Sequence, residues 1–222
     1  MLKRLWFTLK ERMFLRQYRS RSDRFSAIYA DRLWKNDESA SGYGSTDAAT
    51  TQTRAELAKL VAAHDVGSIL DAPCGDFNWM KLLPFAGQYT GVDIVPELIA
   101  ANRAAYGSDQ RSFAVADLVQ GPLPSADLVM CRECLNHLPL ADGSAALRNL
   151  SAAGRKLLLV THYPAVTVNP DQPASFRYRS LNLMLAPFNL RAPDTVIDEA
   201  HFEAGKVLAV WDLRNGPVQA AG

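Results

Sequence analysis

The sequence is poor in cysteine and has no long apolar run, and each absence excludes a class of protein. Three cysteines, Cys74, Cys131 and Cys134, cannot pair into an even disulfide framework, which argues against a disulfide-stapled secreted domain. No uninterrupted apolar segment predicts a signal peptide or a membrane-spanning helix. Internal repeats and low-complexity segments are also lacking. We therefore expect a cytoplasmic protein in a reducing compartment.

What is present is the composition of an ordinary globular chain of 222 residues, 48% of them hydrophobic and 21% charged. A chain of this length buries a full core without disulfide or metal staples. The net charge of +1 conceals an uneven distribution, because residues 1–24 hold eight basic side chains and two acidic ones. We therefore divide the chain into a basic extension, residues 1–35, and a domain, residues 36–222.

The extension is predicted to be helical, because its apolar side chains recur on one helix face. These side chains are Leu2, Leu5, Trp6, Leu9, Met13 and Phe14. Three roles are open for residues 1–24. They could lie on an anionic membrane with Leu5, Trp6, Leu9 and Phe14 in the interface, which would place the protein peripherally at the inner membrane surface. They could grip nucleic acid phosphates, which we expect least because no RNA-binding module accompanies them, or pack on the domain or a partner.

Helical and strand patterns alternate along residues 50–162, which predicts a parallel sheet with right-handed crossovers. A helix over 50–64 precedes the first strand, a helix-like stretch follows it, and another helix begins at Pro96. The strand patterns occupy 68–71, 89–93, 112–116, 127–131 and 156–161. Two later segments, 195–199 and 206–213, predict a closing antiparallel pair.

Residues 163–193 interrupt this alternation with five prolines, which exclude one long helix and favour an ordered loop or lid on the substrate side. The loop carries aromatic and basic side chains, namely Phe176, Tyr178, Phe188, Arg177, Arg179 and Arg191. The arginines could bind an acidic or phosphorylated acceptor, or they could simply be solvated.

Acids end the first two strand patterns, at Asp71 and Asp93, 22 residues apart. An open α/β sheet binds nucleosides beyond the carboxyl ends of its strands, where such an acid can accept hydrogen bonds from ribose hydroxyls. Pro73 removes an amide donor from the intervening turn, which disfavours a pyrophosphate and suits a cofactor without phosphate. The alternative is that these acids only cap helices or form turns.

Several motifs resemble those of the class I S-adenosylmethionine-dependent methyltransferases: ILDAPCGDFNWM, YTGVDIV, FAVADL and ADLVMCRECLNHLP. The sequence also resembles a poorly characterised bacterial subfamily that carries ESxSGxGS and DAPCGDFxWM motifs. The resemblance implies an α/β, Rossmann-like fold: a mostly parallel sheet, a C-terminal antiparallel hairpin and helices on both faces. The first motif departs from the pattern, because Pro73 and Phe77 stand where glycine is usual and only Gly75 remains.

The resemblance further implies S-adenosylmethionine as cofactor and assigns parts of its site. Asp71 with Asp76 would meet the ammonium, Asp93 the ribose, and Ile94 with Asp117 the adenine. The loop over 36–49 would fold over the cofactor, with an aromatic contact from Trp34 or Tyr43 and a carboxylate partner in Ser45 or Arg54. The full set of cofactor residues expected is Trp34, Ser45, Arg54, Asp71, Cys74, Gly75, Asp76, Asp93, Ile94, Asp117, Leu118 and Cys131. As alternatives, the loop is a flexible linker and Arg54 a solvated surface residue.

The reaction expected is methyl transfer from S-adenosylmethionine to an oxygen or nitrogen of a small-molecule, glycan or lipid-linked acceptor. Candidate bases are His137, Glu133 and His162; a histidine is partly neutral near pH 7, although His137 could equally pack under the next helix. The Cys-x2-Cys-x2-His spacing at Cys131, Cys134 and His137 invites a zinc site, but we expect inert thiols and no metal. The alternatives are a non-catalytic protein that keeps the fold for binding or assembly and, contradicted by Pro73 and the closing hairpin, an oxidoreductase.

Overall fold

A computed structural model describes the backbone of residues 2–219 and the side chains of residues 10–219. The helices are α1 (Leu2–Gln17), α2 (Arg21–Ala30), α3 (Asp47–Ala63), α4 (Pro96–Tyr106) and α5 (Leu140–Ala153). The strands are β1 (Ser68–Asp71), β2 (Gln88–Asp93), β3 (Arg111–Val115), β4 (Ala126–Cys131), β5 (Gly154–His162), β6 (Thr195–Asp198) and β7 (Val207–Asp212). Each strand lies within two residues of the range predicted for it.

The seven strands form one sheet in the order β3-β2-β1-β4-β5-β7-β6. The first five strands pair in parallel, whereas β7 inserts antiparallel between β5 and β6. The β5–β7 register pairs Leu158 with Trp211, and both side chains are fully buried. The predicted parallel sheet with a closing antiparallel pair is therefore confirmed.

Helices cover both faces of the sheet, because the central strands bury side chains on both sides. Along β5, Leu158 packs on the face covered by α5, with Leu147 and Leu150. The alternate residues Leu157 and Leu159 pack on the opposite face, in a cluster that also takes Leu57 of α3 and Ile99 of α4. The period of two in a strand thus divides the core into two layers around one sheet. This arrangement also confirms the prediction of helices on both faces.

The helix-like stretch predicted between β1 and β2 is wrong, since only one 3-10 turn, Met80–Leu82, forms there. Phe77 adopts a left-handed backbone with φ of +58°, a conformation that cannot begin a helix and that glycine adopts at least cost. Its ring is buried against Tyr89, Tyr106 and Phe113 at centroid distances of 4.8 to 5.2 Å. Aromatic packing therefore holds a phenylalanine where the methyltransferase pattern places glycine.

The N-terminal helices pack on the domain. Ser20 and Asp23 form a capping box at the start of α2, and Ile28 is fully buried in a cluster with Phe14. Phe14, which the membrane hypothesis placed in the lipid interface, packs instead on Phe176 at 5.4 Å. The side chains of Leu2, Leu5, Trp6 and Leu9 lie outside the described residues. Within the described part of the chain, each helix is too short or too polar to span a bilayer.

Candidate functional site

A cavity of about 220 Å³ opens at the carboxyl ends of the parallel strands. Asp71 at the end of β1, Asp93 at the end of β2, Asp117 beyond β3 and Arg132 beyond β4 all line it. Strand β1 lies between β2 and β4, so the chain connections diverge on its two sides. Ligands of open α/β sheets bind in the crevice at such a switch point.

Asp71 is buried at the wall of this cavity. The Tyr89 hydroxyl donates a hydrogen bond of 2.7 Å to one of its carboxylate oxygens. Burial raises the pKa of Asp71 to about 7, and the negative charge of Asp93 adds to the effect. The carboxyl group is therefore partly protonated near neutral pH and would ionise more fully beside a cationic ligand.

Asp93 accepts one backbone hydrogen bond on each carboxylate oxygen, from Gly75 at 3.2 Å and from Val95 at 3.1 Å. Burial raises the pKa of Asp93 to about 6 despite these two amides. Gly75 has φ of +54°, and a Cβ atom there would collide with the Ser41 hydroxyl. Glycine at this position thus allows the loop before α3 to lie directly on the turn after β1.

An apolar slot adjoins Asp93 and is lined by Ile94, Leu118 and Val119. Asp117 lies at the same side of the cavity, where one carboxylate oxygen accepts the Val119 amide at 2.9 Å. The other oxygen accepts the Arg21 guanidinium of α2 at 2.7 Å. A flat apolar ligand with a polar edge fits such a surface.

The loop over residues 36–49 is tied down by Asp76. This carboxylate accepts hydrogen bonds from the Ser39 hydroxyl at 2.9 Å, the Ala40 amide at 2.7 Å and the Ser41 hydroxyl at 3.0 Å. Asp76 is not among the residues that line the cavity. It therefore anchors the loop over the first motif, which does not behave as a free linker.

Trp34, just before this loop, and Ser45, within it, both line the cavity. Tyr43, the alternative aromatic contact, is 65% exposed and lies outside the lining. Arg54 also lies outside it, because its guanidinium pairs with Asp47 on the same helix. The helix thus satisfies Arg54 locally, with the side chain 13% exposed.

Glu133 follows β4 and lines the cavity with a left-handed backbone, φ +54°. Its amide donates to the Thr161 hydroxyl at 2.8 Å, which fixes the turn. Its carboxylate contacts Lys206, which lies 3.3 Å from Glu199; Glu199 in turn accepts Arg132 Nε at 2.7 Å. We call Arg132, Glu133, Glu199 and Lys206 the buried charge cluster.

His137 lines the cavity between two aromatic rings, with centroids 5.2 Å from Trp34 and 5.5 Å from Tyr178. Its Nδ1 lies 2.8 Å from the Arg177 carbonyl oxygen, which can only accept, so Nδ1 carries the proton of the neutral ring. Burial lowers the pKa of His137 to about 4. His137 is therefore neutral at physiological pH, with Nε2 as its accepting nitrogen.

His162 is buried away from the cavity lining. Its Nδ1 accepts the Leu183 amide at 3.1 Å, which ties the end of β5 to the loop over 163–193. Cys131 is likewise fully buried and outside the lining. The His162 contact therefore links two segments of the fold, and both side chains lie away from the cavity.

Most of the residues predicted from the sequence meet at this cavity: Trp34, Ser45, Asp71, Cys74, Gly75, Asp93, Ile94, Asp117, Leu118, Glu133 and His137. Four lie outside its lining: Arg54, Asp76, Cys131 and His162. Among the described residues, no group of three or more His, Cys, Asp or Glu side chains is arranged to hold a metal ion.

The arginines of residues 163–193 do not gather into an anion site at the cavity. Arg177 pairs with Glu11 at 2.8 Å, Arg179 donates to the Leu138 carbonyl at 2.5 Å, and Arg191 pairs with Asp194 at 2.8 Å. None of the three lines the cavity. Each arginine instead fastens a different part of the loop.

Three lining residues of α2, Arg21, Phe25 and Tyr29, were missed in the sequence. Their spacing of four residues places them on one helix face. This spacing is visible in the sequence, but the many basic residues of the extension favoured other interpretations of the helix. Trp79, also missed, lines the cavity and lies 5.3 Å below the Arg132 guanidinium. Trp79 belongs to the DAPCGDFxWM motif, so the motif could have identified it as a site residue.

Residues 69–156 match the family described as "Methyltransferase domain". A ubiquinone biosynthesis O-methyltransferase of Xanthomonas axonopodis pv. citri (strain 306) is 30% identical over 153 residues, 65% of this chain and 61% of that protein. The protein of the same description from Xanthomonas euvesicatoria pv. vesicatoria (strain 85-10) matches equally, at 30% over 153 residues. The chain thus spans about three fifths of the length of the curated relatives it matches.

Solved structures share the fold. Magnesium protoporphyrin IX methyltransferase from Synechocystis PCC 6803, with bound S-adenosylhomocysteine, aligns at a TM-score of 0.57 and 19% identity over 85% of this chain and 96% of that one. The N-methyltransferase NodS from Bradyrhizobium japonicum WM9 aligns at 0.50 and 19% identity over 62% of this chain and 73% of that one.

The strand order and the matched segment define a class I S-adenosylmethionine-dependent methyltransferase fold. Residues 69–156 are thus similar to a methyltransferase domain, and the chain shares the fold of solved methyltransferases. The resemblance drawn from the sequence motifs and the S-adenosylmethionine type of cofactor are confirmed. The reaction of the family is methyl transfer from that cofactor to an acceptor.

Proposed function

We propose that this chain transfers a methyl group from S-adenosylmethionine to an oxygen or nitrogen of a small-molecule, glycan or lipid-linked acceptor. One observation carries the proposal: a single cavity joins the strand-end acids Asp71 and Asp93 to Glu133 and His137. The acids suit a cationic, hydroxyl-rich cofactor, and the other two groups suit proton removal. Oxygen is the favoured atom, because the curated relatives are described as O-methyltransferases.

The residues present fit the cofactor. Asp71 is a buried acceptor for an ammonium group, and Asp93 keeps lone pairs free beyond its two amide bonds, as ribose hydroxyls require. Ile94 and Leu118 provide the apolar slot for adenine. The cofactor supplies a methyl group already activated on a positively charged sulfur. The protein therefore has to align the acceptor and, where the acceptor carries a proton, remove it.

His137 is the favoured proton acceptor, because it is neutral and its tautomer leaves Nε2 free to accept. Glu133 is the second candidate, held at the cavity by the buried charge cluster. Trp34, Phe176 and Tyr178 line the cavity around His137 and favour an acceptor with a flat apolar part.

The decisive experiment is calorimetric titration of the chain with S-adenosylmethionine, S-adenosylhomocysteine and NAD. We expect micromolar binding of the first two and none of NAD. Asp93→Ala should weaken both interactions at least about tenfold, since a buried hydrogen-bonding group is lost. Asp109→Ala, which changes an exposed acid remote from the cavity, is the matched control. Wild-type affinity in Asp93→Ala would refute the site.

A screen for methylation then separates an enzyme from a protein that only binds the cofactor. The screen follows S-adenosylhomocysteine formation with phenolic, amine, glycan and lipid-linked acceptors. Turnover with any acceptor class supports the proposal and identifies the methylated atom by mass spectrometry of the product. Tight cofactor binding without turnover across all classes would favour the non-catalytic alternative.

A further inference from the structure

The N-terminal helix α1 contacts the loop over 163–193 through two side chains that lie one turn apart. Glu11 is buried, and Phe14 packs on Phe176 at a centroid distance of 5.4 Å. One Glu11 carboxylate oxygen accepts the Ser175 hydroxyl at 2.9 Å, and the other accepts the Arg177 guanidinium at 2.8 Å. Because residues three apart share a helix face, one face of α1 holds three consecutive residues of the loop.

The same three residues, which we call the bridge segment (residues 175–177), also contact His137. The Ser175 amide donates to the His137 carbonyl at 3.2 Å, and His137 Nδ1 donates to the Arg177 carbonyl at 2.8 Å. Trp34, whose ring lies 5.2 Å from that of His137, donates its indole N–H to the Phe176 carbonyl at 3.3 Å. The bridge segment therefore connects α1 to the histidine of the cavity.

The Arg177 carbonyl determines which nitrogen of His137 can accept a proton. This oxygen can only accept a hydrogen bond, so it keeps the ring proton on Nδ1 and leaves a lone pair on Nε2. A histidine side chain in water favours the opposite form, with the proton on Nε2. Displacement of the carbonyl would therefore change Nε2 from an acceptor into a donor in most molecules.

We propose that Glu11 is a positioning residue that keeps His137 in the tautomer able to accept a proton. Glu11 does not line the cavity and acts through the bridge segment, since Ser175 and Arg177 are its partners. The N-terminal extension is then part of the acceptor side of the site. The role of His137 as proton acceptor rests on the proposed function, whereas its tautomer is a property of the folded chain.

The test reads the tautomer by nuclear magnetic resonance of protein with isotopically labelled histidine nitrogens. Near neutral pH, protonated and unprotonated ring nitrogens resonate at well-separated positions, and the His137 signals are identified by their loss in His137→Ala. Glu11→Ala removes both bonds and keeps a good helix former, whereas the amide oxygen of Glu11→Gln can still accept the Ser175 hydroxyl. The control Asp194→Asn breaks the same kind of pair, with Arg191 at the far end of the loop.

We expect the wild type and Asp194→Asn to show Nε2 at the position of an unprotonated nitrogen. In Glu11→Ala the Nε2 signal should move more than half of the way toward the protonated position, and in Glu11→Gln it should move less. With an acceptor that turns over, kcat of Glu11→Ala should fall about two- to tenfold, the factor that one net hydrogen bond provides. Its affinity for S-adenosylhomocysteine should stay at the wild-type value.

Three results would overturn the inference. The first is a wild type with the proton on Nε2. The second is an unshifted Nε2 signal in Glu11→Ala with wild-type circular dichroism, which would show that the Gln172 amide, 3.1 Å from the Arg177 carbonyl, holds that carbonyl without Glu11. The third is an equal shift in Asp194→Asn, because any loss of stability would then have the same effect.

Two further outcomes are separated by the design of the test. If Glu11→Ala does not fold, Glu11→Gln decides by the same criteria, since it keeps the size of the side chain and one of its bonds. If no acceptor is methylated by the wild type, the proposed function fails, while the tautomer measurement still supports or overturns the positioning role of Glu11.

Discussion

The buried charge cluster allows a sharp prediction about stability. Glu199 is fully buried and accepts the Thr53 hydroxyl at 2.8 Å and Arg132 Nε at 2.7 Å, while its other oxygen lies 3.3 Å from Lys206 Nζ. Glu199→Gln keeps the shape of the side chain but replaces one acceptor oxygen by an NH2 donor. Arg132 Nε donates to one oxygen and Lys206 Nζ lies beside the other, so the new NH2 group must face one of these two bases.

The cost follows from the burial of the cluster. Burial and the charge of Arg132 lower the pKa of Lys206, but its Nζ lies against two carboxylates, which favour the charged ammonium. Two acids and two bases then balance in the wild type, and the substitution leaves two buried bases facing Glu133 alone. Breaking a buried ion pair from one side costs about 3–5 kcal/mol. For a chain of this length, that loss lowers the melting temperature by about 6–20 °C. The double variant Glu199→Gln/Lys206→Met restores the balance and should recover about 1–3 kcal/mol relative to the sum of the single changes.

The assay is urea unfolding followed by circular dichroism, with Glu56→Gln as the control. Glu56 also pairs with a lysine, Lys59 at 2.7 Å, but both side chains are exposed, so its change should stay within about 0.5 kcal/mol. A loss below about 1 kcal/mol in Glu199→Gln would show that the cluster is not a coupled network. Strict additivity in the double variant would show the same.

Three further outcomes are expected. Binding of S-adenosylmethionine near pH 6.5 should release protons and strengthen as pH rises through 7, because a cation beside Asp71 lowers its raised pKa of about 7. Calorimetry in two buffers of different ionisation enthalpy measures this, and Asp71→Asn should remove most of the proton release, leaving the smaller part from Asp93, whose pKa is raised to about 6. His137→Ala should leave cofactor affinity within about twofold of wild type and slow methylation about 10²- to 10⁴-fold, and unchanged turnover would exclude it as the base. Asp76→Ala should speed hydrogen exchange of the amides of residues 36–49, measured by mass spectrometry, because their anchor is lost; unchanged exchange would show that other contacts suffice.

The sheet was predictable because its strands carry local signals. The largely buried β4 and β5 contain short apolar runs, and β1 and β2 each end in an acid, so their bounds were found within two residues. The order of the strands is not a local property, and the sequence patterns do not predict it. The helix predicted after β1 failed because packing around Phe77, from residues up to 36 positions later, outweighs local preference.

Long-range contacts explain what the sequence did not show about the site. The bond from Arg21 to Asp117 joins residues 96 positions apart, and that from Arg132 to Glu199 joins residues 67 apart. Neither pair has a spacing that secondary structure imposes, so a pattern could not reveal it. Lys206 was predicted as the start of a closing strand, and β7 begins at the next residue, Val207. Its side chain reaches Glu133 at the cavity because β7 inserts next to β5.

Three acids of the cofactor motifs illustrate how the structure separates positions that the sequence treats alike. Asp76 accepts hydrogen bonds from three successive residues of the loop, so its carboxylate is already occupied in holding that loop. Asp71 and Asp93 are buried with fewer donors, and burial raises the pKa of each. A buried acid whose partners do not compensate for its desolvation can gain most from a ligand that brings a positive charge or hydroxyl groups. The shortage of donors at these two positions is therefore the physical reason to place the cofactor beside them and not beside Asp76.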